Sequence, residues 1–373
     1  MTPRPTLSVL HLVGATGDHG GILSVIRALS QATRDSAHHV VWVNSRFGQS
    51  RQPALELRRN PHTLDEDSNH LRLLLQNLRA WPALQRLLRK ERFDVVHAHT
   101  RGSLPLALLL ALSRPVLFTN HAYASRAGLY RFAARQRRMR TVLLTPNMAR
   151  HYGLSPSPGR IETVSECCGD PWFQRALSPP QSMPPPGFLR LVGVGNLVRW
   201  KKWDLAVRAF ASLPPESRSR LRFQLWGPVP EDTDAQVFAA ELAGLIAELK
   251  LTPLVTLAGA TNDVPAVLAE ADAFLLPSTN EPCSVALIEA LASGRPVVAS
   301  RSGGNVDIVR EGRTGLLFEP DDVEDLAAQL RRLLDGTFAP AAPAEIRESV
   351  RRRSATVVGA QYLQIYRELA AAR

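Results

Sequence analysis

The sequence predicts an α/β protein built as two doubly wound domains. Three observations carry that reading. At 373 residues the chain exceeds what one hydrophobic core usually organises. Short, β-branched apolar runs alternate with helical patterns through both halves, the rhythm of parallel strands joined by crossover helices. Between the halves, Pro179-Pro180-Gln-Ser-Met-Pro184-Pro185-Pro186-Gly187 sets five prolines in nine residues. Such a stretch can continue neither a helix nor a central strand, and it reads as a stiff linker.

Domains are therefore expected at residues 1–178 and 188–354, separated by the linker at 179–187. Strands of the first domain are expected at Leu7–Val13, Val40–Asn44, Asp94–Ala98, Val116–Asn120, Thr141–Thr145 and Ile161–Ser165. Those of the second are expected at Leu189–Gly193, Arg222–Trp226, Val255–Ala258, Ala273–Pro277, Pro296–Ser300 and Gly315–Phe318. Each is a short apolar run bounded by turn residues, as strands covered on both faces require. Helical periodicity fills the gaps at Ile22–Ala32, Asp204–Leu213, Val237–Leu249 and Val323–Leu334. Leu71–Leu88 carries leucines at helical spacing. Leu104–Leu112 is too short to span a membrane and is read as a buried helix. A last helical stretch, 355–373, has no strand after it and is expected to pack back on the first domain.

Composition narrows the function classes. Apolar residues make up 45% of the chain, ordinary for a globular protein. The opening apolar run is too short for a signal peptide or membrane span. Cys167, Cys168 and Cys283 offer neither a disulfide framework nor metal spacing, so a reducing, cytoplasmic setting is expected. Residues 1–180 carry +13 and the remainder −2, so the whole net charge of +11 belongs to the first half. Arg126, Arg131, Arg135, Arg137, Arg138 and Arg140 concentrate it, which suits an anionic membrane surface or acceptor. No aromatic-and-basic ribbon or recognition motif points to nucleic acid.

Three segments carry chemistry. The first strand leads through Gly14-Ala-Thr-Gly17-Asp-His-Gly20-Gly21 into a helix, where backbone N–H groups can approach a phosphate. After the first strand of the second domain comes Val194-Gly195-Asn196-Leu197-Val198-Arg199-Trp200-Lys201-Lys202, whose cations can neutralise a diphosphate leaving group. The most specific segment runs from Pro277 to Pro296. A strand ends at Pro277, a turn carries Glu281, a helix opens near Cys283, and Gly294 and Pro296 close it. The unpaired N–H groups near Ser284, Val285 and Ala286 form an anion site between Glu281 and Glu289.

This last stretch closely resembles the E-x7-E motif of the family 4 glycosyltransferases, including the following Gly-Arg-Pro-Val-Val-Ala and the Gly303-Gly304 turn. The resemblance implies a GT-B fold, two Rossmann-like domains facing across a cleft. It also implies a retaining, metal-independent hexosyltransferase using a nucleotide diphosphate sugar and no cofactor. By it, Glu281 contacts the donor sugar and Glu289 the ribose. Lys201 takes the diphosphate-binding Lys position. The family's Arg position holds Asn196, and Arg199 is the candidate replacement. His121, ending Phe118-Thr-Asn-His121, matches a family His that reaches the donor sugar, while His97 and His99 sit at the end of the preceding strand. A family Asn-Gly-x-Asp turn is represented at Val164–Asp170 by Asp170 alone. The implied partners are the donor and a saccharide or lipid-linked acceptor, in envelope glycoconjugate or polysaccharide synthesis at the inner face of the membrane. The rival readings are a nucleotide-sugar 2-epimerase on the same fold and a non-catalytic sugar-nucleotide or membrane-surface binding protein.

Overall fold

The computed structural model describes residues 7–14, 21–45, 47–48, 55–64, 70–177 and 188–372. They form two compact units, Met1–Asp170 with Arg353–Arg373, and Pro171–Arg352. Each unit is a parallel sheet with crossover helices, the two-domain GT-B architecture.

The first sheet comprises β1 (Leu7–Leu12), β2 (Ala37–Val43), β3 (Glu56–Arg59), β4 (Val95–Ala98), β5 (Val116–Asn120), β6 (Met139–Leu143) and β7 (Ile161–Thr163). Its order is β3-β2-β1-β4-β5-β6-β7. The connecting helices are α1 (Gly21–Ala32), α2 (His70–Lys90), α3 (Leu104–Leu110), α4 (Gly128–Arg135) and α5 (Pro146–Tyr152). Strands β4, β5 and β6 are buried along their whole length, as crossover helices on a parallel sheet require. Leu104, Leu106, Ala107 and Leu110 of α3 are buried, whereas Leu112 lies beyond its end and is exposed.

The chain returns to this unit at its end. A C-terminal helix, Ala355–Ala371, packs on α1 and β4. Gly359 makes the approach to α1 possible, because a Cβ there would lie 2.9 Å from the Thr33 methyl carbon. Ala355 N–H donates to the Cys168 carbonyl (3.0 Å) and Cys168 N–H to the Arg353 carbonyl (3.2 Å), joining the returning segment to the chain before Asp170. Asp170 receives the Thr356 hydroxyl at 2.7 Å and the Thr356 N–H at 3.1 Å.

The second sheet comprises β8 (Leu189–Val194), β9 (Leu221–Trp226), β10 (Val255–Gly259), β11 (Ala273–Leu276), β12 (Val297–Ser300) and β13 (Gly315–Phe318), in the order β10-β9-β8-β11-β12-β13. Its helices are α6 (Pro171–Gln174), α7 (Trp203–Ser212), α8 (Pro215–Ser219), α9 (Thr233–Glu248), α10 (Val264–Ala269), α11 (Val285–Ala292), α12 (Asn305–Ile308), α13 (Val323–Leu334) and α14 (Pro343–Ser349). Trp203, Phe210 and Phe223 anchor one face of its core. Gly193 admits the Trp203 ring, which a Cβ would meet at 2.8 Å.

Two expectations are corrected here. The unit boundary falls at Asp170/Pro171, ahead of residue 178, because α6 packs on α11 of the second unit. Strand β3 adds an edge to the first sheet that the sequence reading omits. The proline-rich linker, residues 179–187, lies outside the described residues.

Candidate functional site

In a doubly wound sheet, ligands bind beyond the carboxyl ends of the strands where the strand order reverses. In the second unit that point lies between β8 and β11. The loops leaving these two strands hold Asn196–Lys201 and Pro277–Glu281. The sequence-predicted residues Lys201 and Glu281 meet here. The Lys201 ammonium donates to Glu281 Oε2 at 2.7 Å, and the Ser278 hydroxyl donates to the same oxygen at 3.0 Å. Both charged side chains are buried, at 8% and 7% exposure, a depth that an ion pair tolerates only with such supporting contacts. The ammonium also lies 4.4 Å from the centroid of the Trp200 ring.

Local backbone fixes both partners. Lys201 ends a single 3₁₀ turn, Arg199–Lys201, closed by Lys202 in the left-handed region at φ 56°. Glu281 is held through its carbonyl, which accepts the Gly304 N–H at 2.7 Å. Gly303 sits at φ 57°, and a Cβ there would lie 2.3 Å from the same carbonyl oxygen, so this turn needs glycine twice over.

Helix α11 begins immediately after. Ser284 caps it, accepting the Leu287 N–H at 3.3 Å, and the first-turn N–H groups of Val285 and Ala286 lack intrahelical acceptors. Gly294, at φ 75°, ends it. The Arg295 N–H reaches the Ala290 carbonyl at 3.0 Å and the Gly294 N–H the Leu291 carbonyl at 2.9 Å, a Schellman closure. Glu289 lies about a turn and a half from the cap. It is only half-buried by accessible area, yet enough protein surrounds it that desolvation pushes its carboxyl up to about 8.

Other predicted residues are placed differently. Arg199 does not join Lys201 and Glu281. Its guanidinium is held by Asp234 (2.9 Å) and Glu241 (2.7 Å) of α9 and lies 5.5 Å over Phe238. A role on a diphosphate in place of Asn196 would require breaking both ion pairs. Asn196 is half-buried, and its carbonyl accepts from Trp203 Nε1 at 3.1 Å. Asp232-Thr233-Asp234 forms an Asp-x-Asp triplet, but Asp232 caps α9 and Asp234 holds Arg199. Gly21 opens α1 and is exposed, while Gly20 lies outside the described residues.

The first unit holds a second constellation. His121, following β5, places Nδ1 2.6 Å from Glu166 Oε1 and Nε2 3.1 Å from His99 Nδ1. His99 Nε2 meets His11 Nδ1 at 2.8 Å, His11 Nε2 meets His39 Nδ1 at 2.8 Å, and His39 Nε2 meets the Thr33 hydroxyl at 2.8 Å. His97, paired in register with His11, turns instead to the Tyr366 hydroxyl (2.9 Å) and Thr119 (2.7 Å). The sequence reading singled out His97, His99 and His121, but not His11, His39 or Glu166. Burial, followed by the neighbouring imidazoles, holds His11, His97 and His99 well below the usual histidine range, and burial then His38 lowers His39 to about 4. Ring nitrogens of His11, His97 and His99 lie within 4.8 Å of one another, close enough to consider a metal centre. Every nitrogen of the three already has a hydrogen-bond partner, so the arrangement is that of a hydrogen-bonded network.

The fold is that of the GT-B class of glycosyltransferases. Residues 189–336 match the family model described as glycosyl transferases group 1, and residues 19–163 that of glycosyltransferase family 4. The two matches, one in each unit, place the chain among the family 4 glycosyltransferases. A sulfoquinovosyl transferase of Arabidopsis thaliana is 35% identical over 147 residues, 39% of this chain. That alignment spans 26% of the relative's length. Sucrose-phosphate synthase of Thermosynechococcus elongatus superposes with a TM-score of 0.80 at 20% identity, covering 98% of this chain and all of that one. The HepE protein of Anabaena, solved in complex with UDP, gives 0.72 at 18% identity over 98% of this chain and all of its own.

Proposed function

We propose that the chain transfers a sugar, with retention of configuration and without a metal, from a nucleotide diphosphate sugar to a saccharide or lipid-linked acceptor. The observation that carries this is the buried Lys201–Glu281–Ser278 cluster at the β8/β11 switch point, beside the first turn of α11. A diphosphate seated there meets the Lys201 ammonium and the free N–H groups of Val285 and Ala286, which absorb charge as the glycosidic bond breaks. Glu281 is then released to accept from sugar hydroxyls, and Glu289 to accept from those of the ribose. The family matches support transfer over epimerisation.

The acceptor is assigned to the first domain, at an anionic membrane surface. Leu71, Leu74, Leu75 and Leu78 form an exposed stripe on α2 at helical spacing, with Arg72 and Arg79 exposed beside them. On α4, Phe132 is exposed among Arg131 and Arg135. Arg140, part of the basic cluster in the sequence, does not contribute, because it is buried in β6 against Glu162 and Glu368.

The test is a thermal-shift screen with UDP-, GDP- and ADP-sugars, followed by product analysis with acceptors. The donor that raises the melting temperature should be consumed faster with acceptor than without. Turnover without any acceptor at the same rate would contradict transfer.

A further inference from the structure

Six short polar contacts run in series through the first domain: Glu166 to His121, His99, His11, His39, Thr33 and the Leu29 carbonyl. They measure between 2.6 and 3.1 Å. Two lone pairs cannot face one another at such distances, so each contact must contain one proton. With Glu166 ionised the two ends only accept, the other end being a carbonyl. A neutral imidazole carries one N–H and a hydroxyl one O–H. Four imidazoles and Thr33 thus bring five protons to six contacts.

We infer that this histidine chain binds one proton more than its neutral rings supply, and that the extra proton makes His121 a fixed cation paired with Glu166. The direction of every bond then follows. His121 donates from both nitrogens, to Glu166 and to His99 Nδ1. His99, His11 and His39 are neutral and protonated on Nε2, each donating to the next member, and Thr33 donates to Leu29. The depressed proton affinity of His99, His11 and His39 agrees with their neutrality. The neighbouring branch does not change the count. His97, Thr119, Tyr366 and Tyr362 make three contacts among themselves, and each brings a proton of its own.

His121 therefore cannot serve as a base, because neither ring nitrogen keeps a lone pair. Thr33, His39, His11 and His99 are positioning residues that hold it protonated. Their consequence for turnover rests on the transferase reading, but the proton count does not.

Thr33→Val tests the count from the far end. It removes two contacts and leaves four, which four neutral imidazoles satisfy. The extra proton should leave, and His99, His11 and His39 should reverse to the Nδ1–H tautomer. The measurement is nitrogen NMR of the full chain labelled with ¹⁵N-histidine near neutral pH, with His121 assigned by its loss in His121→Gln. The parent and Thr33→Ser should show a doubly protonated His121 and three Nε2–H rings. Thr33→Val should show no doubly protonated ring in the chain, and Glu166→Gln, whose amide can donate, should discharge His121 from the other end. A neutral His121 in the parent, or unchanged patterns in both Thr33→Val and Glu166→Gln, overturns the inference. Donor turnover is read on the same samples. If the tautomers reverse while turnover is unchanged, the count stands and His121 has no part in transfer.

Discussion

Glu289→Gln should stabilise the protein while weakening it as a donor-binding protein, and the two effects have one physical cause. The carboxyl is raised from 4.5 to about 8 by burial. A raised acid is favoured neutral in the folded state, so its contribution is fully present below pH 4.5 and is lost as pH climbs to about 8. At about 1.4 kcal/mol per pKa unit the shift corresponds to a ceiling of roughly 5 kcal/mol. The side chain is only half-buried, and solvent screening brings the expectation to roughly 2–3 kcal/mol. For a unit of this size that is about 4–12 °C in melting temperature. Glutamine cannot ionise, so parent and variant should melt together near pH 4.5 and separate progressively, with the variant higher, up to about pH 8. Ribose hydroxyls donate to the carboxylate, so donor affinity of the parent should rise over the same pH range. The variant should bind nucleotide diphosphate more weakly by about 1–3 kcal/mol, roughly 5- to 150-fold. Melting curves that stay parallel from acid to alkaline pH would refute the desolvation argument. Undiminished nucleotide affinity would refute the ribose contact.

Lys201→Met should strand the buried Glu281 carboxylate, costing about 3–5 kcal/mol in stability by denaturant titration and abolishing turnover. Gly303→Ala should displace the Glu281 turn, since the new Cβ meets its carbonyl oxygen, and donor consumption should fall with little change in far-ultraviolet circular dichroism. His11, His39, His97 and His99 are held neutral, and their stabilising contribution is present above pH 6.5 and lost as pH falls towards their folded values, about 4 for His39. Each should therefore steepen acid unfolding by about 1.4 kcal/mol per pH unit below 6.5. Leu74→Asp with Leu78→Asp should reduce sedimentation with anionic liposomes without lowering the melting temperature; equal sedimentation would remove α2 from the membrane contact.

The sheet strands were legible because crossover helices bury both faces and leave continuous apolar runs such as Val116–Asn120 and Gly315–Phe318. Strand β3 was not, because Glu-Leu-Arg-Arg at a sheet edge carries no apolar pattern. Lys201 and Glu281 could each be singled out in advance since each lies in a motif next to a strand end, though their contact with one another could not. Arg199 could not be placed that way. Its partners lie 35 and 42 residues further on, and only the packing of α9 brings them to it. The histidine chain was equally hidden, as His11 and His39 lie on β1 and β2 and His99 just after β4, strands that become neighbours only through the order of the sheet.

That chain also depends on when the protein is made. Residues 353–372 cover the first sheet, and Tyr366 and Gly359 reach His97 and Thr33, yet they leave the ribosome after all of the second domain. The second domain, continuous from Pro171 to Arg352, can close as soon as it emerges. The first can be completed only once residues 353–372 have been made and Tyr366 and Gly359 can reach His97 and Thr33. Completion of the two domains thus runs in the reverse order to their synthesis.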